Sequence, residues 1–155
     1  MTQADFACRV LACERRLYRI AYTMLRNEAD CEDAVQEALL RAWSRLGTLR
    51  EEAYFETWLI RILINQCKTL YRRRPLDVEL VNDSVMGSED GHSPLLETLE
   101  DLPPKPRIAI ELHYIEGYNV KECARILSVP EGTVKWRLHQ GRRLLAQAMR
   151  EEAEL

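Results

Sequence analysis

The sequence predicts an all-α protein built as two small helical domains, and three observations carry that expectation. Apolar residues recur at helical spacing through residues 3–73 and again beyond residue 102. Gly and Pro, six of each in 155 residues, gather in a few places and leave long uninterrupted segments between them. No alternating apolar and polar run reads as a strand, and no internal repeat is present. With 46% hydrophobic residues the chain can bury true cores.

The elements follow in order. A first helix is expected over roughly 3–26, ending near Arg26-Asn27, and Asp30 through Asp33 supply acids suited to the start of a second. That helix runs to about Leu46, with Gly47 as its stop. A third begins near Ala53 and ends in Arg72-Arg73-Arg74, where Pro75 forbids continuation. Residues 75–94 (PLDVELVNDSVMGSEDGHSP) have the composition of a flexible linker. Leu102-Pro103-Pro104 then opens a helix to about Ile115, closed by Glu116-Gly117. Asn119 precedes Glu122 by three residues, a capping arrangement for a short helix to Leu127. After Ser128-Val129-Pro130 a last helix is expected from Glu131 to about Met149. The expected domains are therefore 1–75, a linker over 76–94, and 95–155.

The net charge of −3 looks wrong for a nucleic-acid binder until it is divided along the chain. Residues 1–75 carry +3, residues 76–101 hold eight acids and no base, residues 102–150 carry +5, and Glu151, Glu152 and Glu154 follow. Two basic bodies flank an acidic strap. No stretch approaches the ~20 apolar residues that span a bilayer. The segment MTQADFACRVLACERR lacks the basic start and apolar core of a signal peptide. A cytoplasmic protein without membrane insertion is expected. The five cysteines (Cys8, Cys13, Cys31, Cys67, Cys123) are scattered without a CxxC pair, so they read as reduced thiols packed in helices. The alternative is a redox role for Cys8 and Cys13. His92, His113 and His139 fall in three different segments with no nucleophile or metal-ligand spacing around them. No catalytic centre, cofactor or metal is expected.

Residues 119–145 have the layout of a helix-turn-helix, a short helix, a tight break and a longer helix. At 100° per residue, Val134, Leu138, Gly141 and Leu145 form the core stripe of the last helix. Opposite lie Trp136 and its neighbours Gly132, Thr133, His139, Gln140 and Arg143, with Lys135 and Arg137 on the flanks. Thr, Gln, His and Arg suit base edges, and flanking cations suit phosphates. On charge alone a solvated helix face explains this equally well. Trp136 weighs against it, because an indole far from the core needs a partner, either sugar and thymine methyl or another protein.

In this half, Glu116-Gly117, Glu122-Cys123-Ala124 and Gly132-Thr133-Val134-Lys135-Trp136-Arg137-Leu138 closely resemble region 4 of the extracytoplasmic-function sigma factors. The resemblance implies that the last helix reads a minus-35 promoter element. Trp136 stands where that family has a small Ser, Gly141 where Ala is usual, and Ser128 where Gly is common.

The amino-terminal half decides between a sigma factor and other helix-turn-helix regulators. In the second helix Val35, Ala38, Leu39, Ala42, Trp43 and Leu46 share an inner face, while Asp33, Glu37, Leu40, Arg41 and Ser44 face outward with Gln36 at the edge. Asp33, Gln36, Glu37 and Leu40 match the family's region 2.2, which implies docking with Arg41 on the β′ clamp helices of core RNA polymerase. In the third helix Phe55, Trp58, Leu59, Ile62, Leu63, Cys67 and Leu70 make an apolar band. Arg61, Asn65, Lys68 and Arg72 recur at offsets of four, three and four, ending in Arg73 and Arg74. Read alone, that stripe is a solvated basic face, and Phe55 and Trp58 read as core. Phe55-x-x-Trp58-Leu59, Arg61-Ile62, Asn65 and the terminal arginines resemble regions 2.3 and 2.4, which implies contact with the melted minus-10 strand by this helix and the loop Gly47–Glu52. Thr69 stands where the family often has Asp.

The resemblance covers about residues 6–73 and 95–149. It implies a protein that directs polymerase to promoters, with core polymerase (β′ clamp helices and β flap), promoter DNA and an anti-sigma factor as partners. A linker of about 20 residues reaches roughly 70 Å, enough to join elements two helical turns apart. Its acids are expected to discourage DNA binding by the free protein. Two rivals stay open, a helix-turn-helix regulator acting alone and a helical adaptor that contacts only protein.

Overall fold

The computed structural model describes residues 1–73 and 99–154. The expected linker over 76–94 and Arg74 lie outside them. Among the described residues every regular element is helical, and the chain divides into two compact units.

The first unit is built from three helices. Helix α1, Gln3–Leu25, starts in a capping box: the Thr2 hydroxyl accepts from the Asp5 amide at 3.1 Å, and the Asp5 carboxylate accepts from the Thr2 amide at 3.1 Å. It ends at Arg26 in the left-handed region, φ +56°. Helix α2, Glu28–Ser44, starts two residues before Asp30, the first of the acids expected at its start. Asn27 is its N-cap, its side-chain oxygen accepting from the Asp30 amide at 3.0 Å. The stop at Gly47 is corrected as well. The helix ends at Ser44, and Gly47 sits inside a single 3-10 turn, Leu46–Thr48. A second 3-10 turn, Glu52–Tyr54, leads into α3, Phe55–Arg73.

Helix α3 packs against both α1 and α2, so it is buried over a wider arc than one apolar stripe. Phe55, Leu59, Leu63 and Cys67 are buried as expected, but so are Ile60 and Ile64, both fully. Trp58, Ile62 and Leu70, expected in the band, are only half-buried. The buried interior also holds Leu17, Ile20, Ala21 and Leu25 of α1, and Cys31, Ala34, Val35, Ala38 and Ala42 of α2. Trp43 is half-exposed and packs edge-on to Phe6, with centroids 5.2 Å apart.

The second unit begins, among the described residues, with buried Leu99 and Leu102. Helix α4, Pro104–Ile110, carries its prolines in the first turn, where backbone N–H groups have no helical partner to lose. It continues as a π-helical turn, Glu111–Ile115, closed by the Glu116 amide on the Glu111 carbonyl at 2.9 Å. Gly117 follows with φ +85°, a conformation glycine adopts at little steric cost. Helix α5, Val120–Leu127, opens with the expected Asn119–Glu122 box. The Asn119 side chain accepts from the Glu122 amide at 2.8 Å, and the Glu122 carboxylate accepts from the Asn119 amide at 3.3 Å. Ser128 makes the turn with φ +58°, and Pro130 is the N-cap of α6, Glu131–Ala153. This last helix runs a turn past Met149. Gly141 is explained by packing: a Cβ there would stand 2.7 Å from Ile110 Cγ1, so the residue lets α6 pass close to α4.

Candidate nucleic-acid interface

The outward side of α3 keeps the polar line that its spacing predicts. Arg61, Asn65, Arg72 and Arg73 are exposed and Lys68 is half-buried. The two terminal arginines also complement the negative end of the helix dipole. Thr69, where an acid is usual in the resembling family, donates its hydroxyl to the Asn65 carbonyl at 3.1 Å. Phe55 is core, flanked by Phe6 at 5.7 Å and Trp58 at 6.0 Å.

The loop entering α3 is held at both ends. The Thr48 hydroxyl donates to the Arg45 carbonyl at 2.7 Å. Arg9 of α1 donates to the Glu52 carbonyl at 2.8 Å and to its carboxylate at 3.2 Å, with its guanidinium 5.7 Å from the centre of the Phe55 ring. Arg16 pairs with Glu56 one turn on. Gly47, Thr48, Arg50 and Glu51 are exposed between these ties. Sequence reasoning did not single out Tyr54, which follows them and is 50% exposed.

On α2, Asp33, Gln36 and Arg41 are exposed and Glu37 is half-buried. Arg41 pairs with Glu37 at 3.1 Å, one turn apart. Such a pair contributes only about 0.3–0.5 kcal/mol to stability, but it cancels charge beside Leu40, which is 67% exposed. With Asp33 the patch carries one net negative charge around an apolar centre.

In the second unit, Val134, Leu138 and Gly141 of α6 are buried and Leu145 is half-buried. On the other side Gly132, Lys135, Trp136, His139 and Arg143 are exposed, and Thr133, Arg137 and Gln140 are half-exposed. Trp136 is 62% exposed, its ring 5.9 Å from that of His139, centre to centre, one turn on. The structure thus leaves the α6 residues on the side of that helix away from its buried stripe, and leaves the α2 and α3 sets exposed or half-buried.

The thiols take no part in these faces, except that Cys8 is exposed. Burial pushes the Cys13 thiol up to about 11, helped by the charge of Glu56. Burial likewise raises Cys123 to about 11 and lifts Cys67 well above its ordinary range. Among the described residues no three His, Cys, Asp or Glu side chains converge as a metal site needs. None of the described helices is long and apolar enough to cross a membrane.

The chain matches Sigma-70 region 2 over residues 10–75 and Sigma-70, region 4 over residues 92–145. It is 30% identical to the ECF RNA polymerase sigma factor SigW of Bacillus subtilis, covering 96% of this chain and 91% of that protein. It is 35% identical to the ECF RNA polymerase sigma factor SigM of Mycobacterium tuberculosis, over 87% of this chain and 72% of the relative. Among solved structures, CnrH in complex with the cytosolic domain of CnrY superposes with a TM-score of 0.75 at 26% identity, over 97% and 90% of the two chains. The sigma factor RpoE of Bartonella quintana, in complex with the anti-sigma factor NepR, shares the fold with a TM-score of 0.79 at 23% identity, over 94% and 97%.

Proposed function

Because this chain belongs to the extracytoplasmic-function (ECF) sigma factors of RNA polymerase, which direct promoter-specific transcription initiation, we propose how its faces divide that work. Residues 1–75 dock on core polymerase and engage the minus-10 element. Asp33, Gln36, Glu37, Leu40 and Arg41 meet the β′ clamp helices, because a patch of net charge −1 around an exposed leucine suits a protein better than a polyanion. Arg61, Asn65, Lys68 and Arg72–Arg74 hold the melted minus-10 strand, cations on phosphates and Asn65 at a base. Residues 76–94 are an acidic linker inside the polymerase.

Residues 95–155 read the minus-35 element in the major groove and meet the β flap. Thr133, Gln140, His139, Arg143 and Trp136 lie toward base edges, and Lys135 and Arg137 toward phosphates, with Gly132 admitting the backbone closely. The protein works in the cytoplasm and is not an enzyme; the polymerase supplies the chemistry and this chain supplies address and strand separation. The complex of CnrH with a domain of CnrY supports a protein partner that masks these faces, an anti-sigma factor.

One observation carries the division. Both α3 and α6 spend their apolar sides on their own cores and turn a basic polar side outward, one in each matched region. Footprinting tests it. Polymerase with this chain is expected to protect two separated promoter patches, and the free chain none. A footprint by the free chain on a palindrome would instead make it a self-standing regulator.

A further inference from the structure

We propose that Trp136 selects a T·A pair in the minus-35 element by laying its indole on the thymine methyl group. The inference deepens the assignment of α6 to the minus-35 major groove and rests on it. Trp136 stands opposite Val134, Leu138 and Gly141, the buried residues of α6, and it is 62% exposed. The His139 ring, one turn on, lies 5.9 Å away centre to centre and is tilted by 33°. The two rings therefore extend one aromatic surface along the helix. Gly132, one turn before, adds no side chain beside the indole, and a Cβ there would meet nothing within 4 Å. Lys135 is exposed and Arg137 half-exposed on the flanks, where cations suit phosphates.

The chemistry of the indole names the base. Tryptophan brings one donor, Nε1–H, and no acceptor. In the major groove adenine and cytosine each present an amino donor. An indole face would cover that donor without accepting from it, and a donor buried unpaired costs free energy. Guanine presents two acceptors, N7 and O6, of which one N–H serves only one. Thymine presents the one apolar group of the groove, its C5 methyl, beside the single acceptor O4. An indole on that methyl joins apolar surface to apolar surface and leaves O4 to water or to Nε1–H. The small Ser usual here in the resembling family both donates and accepts, so it suits either kind of edge. Singly exposed apolar residues are ordinary, but a Trp136 that is merely wetted draws no distinction between thymine and uracil.

The test uses polymerase carrying the wild-type chain, Trp136→Phe or Trp136→Ser. The probe is a promoter duplex whose minus-35 element the wild-type enzyme has selected from a randomised library, with deoxyuridine replacing each thymine of that element in turn. The exchange removes one methyl and leaves every hydrogen-bonding group of the pair. Wild type is expected to bind about fourfold more weakly at one replaced thymine, the effect of one buried methyl. Trp136→Phe keeps a difference of about twofold or more there, and Trp136→Ser binds the two duplexes alike. Binding of a minus-10 single strand is unchanged in both variants, which shows that they fold and assemble. Equal binding by wild type at every replaced thymine overturns the proposal, as does a selected element without a T·A pair. A difference that Trp136→Ser retains, or that Trp136→Phe loses as fully as Trp136→Ser, overturns it too. Indifference of wild type to the methyl, with assembly on core polymerase weakened in Trp136→Ser, overturns it in favour of a protein contact. No selection of any minus-35 sequence by the wild-type enzyme overturns the α6 assignment itself.

Discussion

Ser128 sits in the turn between α5 and α6 with φ +58°. A left-handed residue with a Cβ costs about 1–2 kcal/mol, and the added freedom of glycine in the unfolded chain returns about 0.4–1 of that. Ser128→Gly is therefore expected to stabilise the second unit by roughly 0.5–1 kcal/mol, read as a higher urea midpoint; an unchanged or lower midpoint contradicts the strain. The thiols give a second residue-level expectation. Cys13 and Cys123 are raised from an ordinary value of 9.0 to about 11 in the fold. The folded state holds these protons more tightly, so their contribution to stability is complete below about pH 9 and is lost as pH rises toward 11. Melting temperature should fall across that window, and the fall should be shallower in Cys13→Ala. Iodoacetamide at pH 8 should modify only Cys8 in the folded protein, with the site mapped by peptide mass.

At the scale of the element, the roles proposed for the faces of α3 and α6 make different demands on DNA. Arg61 lies among the phosphate-facing cations of the proposed minus-10 face, so Arg61→Ala should reduce the slope of log affinity against log salt for the opened promoter by roughly 0.7–0.9. Its sequence preference should not change, whereas Asn65→Ala should alter preference; an unchanged salt slope for Arg61→Ala removes it from that face. The polar sides of these helices were legible in the sequence because spacing alone sets which residues share a face. The buried sides were less so. Ile60 and Ile64 were missed because α3 lies against two helices, which widens its buried arc beyond a single stripe. Asn27 was read as the end of α1 because the acids after it drew the start of α2 inward, yet its side chain caps the helix. Gly47 was read as a helix stop, but its 3-10 turn needs no positive φ.

For the whole molecule, the charge division matters more than the total. An overall −3 conceals two basic bodies and an intervening run of eight acids, and each basic body coincides with one matched region. The family membership supplies the activity. What the residues of this chain are proposed to add is a particular address, set by Trp136 on α6 and by the polar line from Arg61 to Arg72 on α3. Those two sets sit in separate units, so their effects on promoter choice should be separable.

In vitro transcription tests that most directly, with core polymerase on a library randomised at both elements, run with the wild-type chain, Trp136→Ala and Asn65→Ala. Initiation should require the chain. Trp136→Ala should change only the minus-35 sequences selected, and Asn65→Ala only the minus-10 sequences. Initiation without the chain, or either substitution shifting the other element, would contradict the account.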